Sequence, residues 1–104
     1  MSSSSSVEAS IRRWVARLEH NYDRIQRCSV IVEHPHNHHR HGNAFHIRID
    51  LTVPGREIAV SRDPERDPGH EDVYVALADA FRAARRQLQD HARIQRGDTK
   101  SHVA

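Results

Sequence analysis

Residues Glu33 to Asn43 read EHPHNHHRHGN, which is five histidines, an arginine and a Gly-Asn pair in eleven positions. Neutral imidazole is the commonest protein metal ligand, so a run this dense raises metal binding first. A structural zinc centre takes four tetrahedral ligands and draws several from cysteine, yet the only cysteine, Cys28, stands five residues before Glu33. Imidazoles alone suit copper or nickel, which makes His34, His36, His38, His39 and His41 the candidate ligands. Two features weigh against a dedicated centre. Pro35, Asn37, Gly42 and Asn43 are turn formers lying between two strand-like segments, as in a hairpin connection. No pattern of carboxylates is placed to fix the imidazole tautomers. The expectation is a hairpin loop that takes up metal only adventitiously and becomes cationic, able to touch phosphate, as the pH falls toward about 6.5.

Other chemistry is sparse. The chain has no glycine-rich phosphate loop and no nucleophile elbow, and its acids show no spacing that suits acid–base work, so it is not expected to be an enzyme. Cys28, flanked by apolar residues, reads as a small core side chain. Arginine is the remaining resource. Lysine and arginine number 16 against 14 acids, and all of them but Lys100 are arginine, whose planar fork suits phosphate. The charge is unevenly spread: residues 63–72 carry five acids and one arginine, whereas residues 82–96 carry five arginines and one acid. Arg82, Arg85, Arg86 and Arg93 form one candidate anion-binding group, and Arg12, Arg13 and Arg17 another. Taken alone, both read more readily as solvated helix faces than as phosphate-facing patches.

These side chains need elements to hold them. With 104 residues there is room for one domain and one small core. Met1–Ser6 is a serine run expected to be flexible, although Ser5-Ser6-Val7-Glu8 has the form of a capping box and starts a helix. Val7, Ile11, Trp14, Val15, Leu18 and Tyr22 fall on one helical stripe. Cys28–Glu33 reads as a strand. Phe45–Val53 alternates apolar and polar residues, with Phe45, Ile47, Ile49, Leu51 and Val53 on the core face. Pro54-Gly55 suits a type II turn that returns the chain as a third antiparallel strand over 56–62. After a Pro/Gly loop at 63–69, Val73, Leu77, Ala80, Phe81, Ala84 and Leu88 form the stripe of a second helix, with Gly97 as its stop and residues 97–104 as a loose tail. The domain is therefore 7–96.

This order, together with the stretches VIVEHPHNHH, GNAFHIRIDLTVPGREIAV and HEDVYVALADAFRAARRQLQDHAR, resembles the ribosome hibernation promoting factor/ribosome-associated inhibitor family, also called the sigma-54 modulation protein family. The most telling pieces are LTVPG, then His70-Glu71-Asp72 with Tyr74 and Ala76, then Arg86-Gln87-Leu88. The resemblance implies an α+β fold: a β-α-β-β-β-α domain of the double-stranded-RNA-binding type with two helices on one face of the sheet. In this chain the first strand is missing, leaving α-β-β-β-α with a three-stranded antiparallel sheet. It further implies a cytoplasmic translation inhibitor with no cofactor. Such a protein binds rRNA in the decoding region of the small ribosomal subunit, excludes mRNA and tRNA, and uses basic helix residues matching Arg82, Arg85, Arg86, Arg93, Arg12, Arg13 and Arg17. Two readings of other classes stay open, a histidine-rich metal-binding protein and a non-catalytic protein-interaction adaptor.

Two departures carry expectations of their own. The chain resembles the short type, without the second domain that pairs ribosomes. The missing first strand would have lain beside residues 28–33. That edge has no proline, glycine or central charge to discourage pairing, so either a start site further upstream restores the strand or a homodimer forms through the edge. The dimer is the reading for the chain as it stands. No apolar run approaches the roughly 18 residues of a membrane helix, and no secretory leader is evident.

Overall fold

The structure, a computed structural model, describes residues 5–33, 45–62 and 72–103, the last segment with side chains through residue 95. Its elements follow the order α1 (Ser5–Asn21), β1 (Arg27–Glu33), β2 (His46–Val53), β3 (Arg56–Arg62) and α2 (Val73–Val103). The strands form one antiparallel sheet in the order β1-β2-β3. No strand precedes α1 among the described residues, so the α-β-β-β-α arrangement stands as expected.

The period-two pattern of β2 sets the layers. Ile47, Ile49, Leu51 and Val53 are 0–2% exposed, and their neighbours Ile58 and Val60 on β3 are equally enclosed. The other face carries His46, Arg48, Asp50 and Thr52, with Arg48 and Asp50 ion-paired at 3.0 Å. Because alternate residues point to opposite faces, only one face can be greasy, and both helices gather there. Leu18 of α1 and Leu77, Phe81 and Leu88 of α2 join a single core cluster with the sheet. Ala76, Ala80 and Ala84 are wholly buried, small enough to let α2 lie close on β2 and β3. Helix α1 packs mainly against α2. Coverage thins toward β1, where Cys28, Val30 and Val32 face the core but remain half-exposed.

Local chemistry fixes the element ends. Val53 pairs with Arg56 across Pro54-Gly55, and Gly55 supplies the φ of 81° that the turn demands. Asp72 caps α2: its carboxylate accepts the Tyr74 N–H at 2.9 Å while its carbonyl accepts the Ala76 N–H at 3.0 Å. Arg62, at the end of β3, reaches Asp79 on α2 at 3.4 Å, close enough for ion pairing but poorly aligned for a hydrogen bond.

The structure departs from expectation at Gly97, which lies inside α2 and does not stop it; residues 98–103 continue as helical backbone where a loose tail is expected. An interior glycine costs about 1 kcal/mol relative to alanine, and it ends a helix only when it turns left-handed. Gly55 is the only described residue with positive φ. The Pro/Gly loop at 63–69 and the histidine stretch 34–43 lie outside the described residues.

Candidate nucleic-acid interface

The arginines gather where α1 and α2 lie side by side. A cleft of about 460 Å³ opens there, lined by Trp14, Ala16, Arg17, Leu18, His20 and Asn21 from α1 and by Phe81, Arg82 and Arg85 from α2. Three guanidinium groups and an imidazole converge on it, and no carboxylate is among its lining residues. Arg17 comes from one of the two sequence groups, and Arg82 and Arg85 from the other.

Trp14 organises this cleft. One turn of α1 places it on the flank of the apolar stripe, half-buried, where its ring stacks on Phe81 with centroids 5.7 Å apart and planes 8° from parallel. The Arg17 guanidinium lies 4.9 Å from the Trp14 centroid, and that of Arg82 lies 6.0 Å away. Cation–π contact of this kind holds a long side chain without using up its N–H donors. Two flexible arginines, one from each helix, are thereby held over one ring, which would lower the entropy lost if they met an anion. Asn21 closes the end of α1 by donating its amide N–H to the Arg17 carbonyl at 3.0 Å.

The other sequence candidates sit around this centre. Arg86, one turn beyond Arg82, and Arg12 and Arg13 on α1 are exposed but do not line the cleft. Arg93 is exposed and lies 2.7 Å from the Asp90 carboxylate, so part of its charge is already answered. Sequence reasoning assigned Trp14 to the core alone and passed over His20 and Asn21. The Trp14–Arg17 spacing of three residues on a helix was the available signal.

Tyr22 and His91 meet edge to face at 6.2 Å, and the Tyr22 hydroxyl and His91 Nε2 are buried with no hydrogen-bond partner among the described residues. Cys28 offers little reactivity: burial and, secondarily, the nearby Glu19 carboxylate push its thiol above its ordinary value of 9.0. The folded state thus holds the thiol proton more tightly than the unfolded chain does. This contribution to stability is complete below the unfolded pKa and is lost as the pH climbs through the folded one. Cys28 is expected to react with iodoacetamide more slowly than free cysteine at pH 8, and its rate should rise to the free value in denaturant. A folded protein labelled as fast as free cysteine would contradict this environment.

Arginines that line an open cleft, with no carboxylate among its lining residues, have the chemistry to bind a polyanion. A family model described as "Sigma 54 modulation protein / S30EA ribosomal protein" matches residues 1–96. The chain belongs to that family. Membership carries a general ribosome-associated inhibitory role that involves no catalysis, in agreement with the motifs LTVPG and Arg86-Gln87-Leu88. No curated protein matches the chain.

Among the described residues no three His, Cys, Asp or Glu side chains come together to hold a metal, and no helix is long and apolar enough to cross a membrane. His34, His36, His38, His39 and His41 lie outside the described residues.

Proposed function

We propose that the protein inhibits translation in the cytoplasm by docking on rRNA in the decoding region of the small ribosomal subunit, where it excludes mRNA and tRNA. The observation that carries this reading is the cleft itself: Arg17, Arg82 and Arg85, drawn from two helices, face one opening whose lining includes no acid. A family with a ribosomal role and a concentrated site for backbone phosphate point to the same partner. Arg86, Arg93, Arg12 and Arg13 lie on the surrounding surface, where they extend the positive field toward neighbouring phosphates. The bound nucleic acid is recognised by shape and charge, because a guanidinium on phosphate carries no base information. No observation favours the metal-binding or adaptor readings over this one.

Sedimentation of a lysate from non-growing cells through a sucrose gradient tests the proposal. The protein is expected to travel with small subunits and to be competed off by saturating mRNA with initiator tRNA. A protein that stays at the top of the gradient at low salt, or that binds without any competition, would refute the decoding-region assignment.

A further inference from the structure

Granting the rRNA partner proposed above, we infer that the groove along the α1–α2 seam holds a single strand of RNA, with one unpaired base stacked on Trp14 and its flanking phosphates on Arg17, Arg82 and Arg85. Phosphate alone has no need of an aromatic wall, yet Trp14 and Phe81 both line the cleft beside the arginines. Phe81 is fully buried and Trp14 only half-buried, so part of the indole stays open to the cleft while the 5.7 Å stack clamps the ring. A ring fixed in this way is a ready stacking platform: a base gains contact, and the side chain has little freedom left to lose. The guanidinium groups of Arg17 and Arg82 beside the ring are planar too, and bases stack on such planes as they do on aromatic rings. Every base has a π face, so stacking of this kind tolerates any sequence and agrees with recognition by shape and charge.

The charge beside that ring is still free. Among the described residues ion pairs engage Arg48, Arg62 and Arg93, and none engages Arg17, Arg82 or Arg85. The cleft's volume of about 460 Å³ lies in the range that takes one small ligand, about 300–1,000 Å³. One nucleotide fits that space. A double helix does not, and its bases, stacked on one another and paired inward, could not reach Trp14. The hollow also continues beyond the cleft. A second depression of about 140 Å³ shares Leu18, Asn21 and Arg85 with it, and a third of about 560 Å³ shares Asn21, Tyr22 and Ala92 with the second. A free nucleotide would fill the first and leave the others empty, whereas a strand can follow the seam with its neighbouring nucleotides. Asp23, at the far end, is the one carboxylate among the residues lining these three hollows, so the grip on phosphate is strongest at the Trp14 end.

Trp14 is the only tryptophan, so its fluorescence reports the contact directly. A single-stranded RNA dodecamer is expected to quench it and to bind about tenfold more tightly than the same strand locked in a duplex, which should leave the fluorescence unchanged. Trp14→Leu is expected to lower single-strand affinity by roughly tenfold to a hundredfold while the slope of log affinity against log salt stays at the parent's, since no phosphate contact is lost. Trp14→Phe keeps a ring and should recover most of that loss, which separates stacking from damage to the fold. Adenosine diphosphate is expected to bind far more weakly than the strand. A duplex bound as tightly as the single strand, a bound strand that does not quench, or ADP bound as tightly as the strand would each overturn the proposal. So would a Trp14→Leu variant that binds as the parent does, or one whose salt slope flattens, because the ring would then only be aiming the arginines. Any of these failures with co-sedimentation intact would leave docking on the small subunit standing and remove only the stacked strand.

Discussion

Replacing Arg17, Arg82 and Arg85 together by alanine is expected to lower affinity for the small ribosomal subunit by roughly a hundredfold while leaving the melting temperature nearly unchanged. Each guanidinium is exposed, so its removal leaves no buried group unsatisfied, and the loss is about 1 kcal/mol per phosphate contact. Salt dependence distinguishes phosphate contact from a general loss of shape. Each neutralised phosphate contributes about 0.7–0.9 to the slope of log affinity against log salt, so the triple variant should flatten that slope by about 2 to 3. Filter binding or sedimentation over a salt series would measure it. A weakened variant with the parent's slope would mean that these arginines act by holding the cleft open and not by meeting phosphate. Unchanged binding would remove the cleft from the interface.

The second large effect concerns the core beneath that cleft. Phe81 is fully buried and also supplies the surface on which Trp14 stacks, so Phe81→Ala removes a core side chain and the floor of the cleft at once. Truncations of this kind cost about 3–5 kcal/mol, a large share of the 5–15 kcal/mol that a small domain has in all. A fall in melting temperature of more than about 10 °C is expected. Trp14 is the only tryptophan, so its fluorescence should shift and broaden even at temperatures where the variant remains folded. Phe81→Leu keeps most of the volume and should lose far less stability, yet it still removes the aromatic stack. If Phe81→Leu binds ribosomes as the parent does, the stack is a packing feature. A loss of binding larger than its loss of stability would show that Trp14 must be held to aim Arg17 and Arg82.

How much of this was legible in the residues follows from the range of the forces involved. The strict alternation from Ile47 to Val53 and the helical stripe from Leu77 to Leu88 are local periodicities, and a side chain's face on an isolated element is already set by backbone geometry, so those assignments carry over to the fold unchanged. Pro54-Gly55 determined its own turn for the same reason: proline restricts one φ and glycine permits the other. Gly97 did not determine a stop, because a glycine permits a left-handed end without compelling one. The family, too, could be read from short motifs in order, since LTVPG and Arg86-Gln87-Leu88 are sequence facts that need no contact to be seen.

What the sequence by itself could not rank was the arginines. Arg12, Arg13 and Arg17 on one helix and Arg82, Arg85, Arg86 and Arg93 on the other are equivalent as charges, and periodicity places each on a polar flank without saying which flank meets which. The packing of α1 on α2 made the distinction. Side chains about 65 residues apart became neighbours, Trp14 seated on Phe81 drew Arg17 and Arg82 over its ring, and Arg93 was left beside Asp90. An anion site needs charges that converge in space, so only the tertiary contact that brings two helix flanks together could assemble a candidate for one from residues that each looked like ordinary surface.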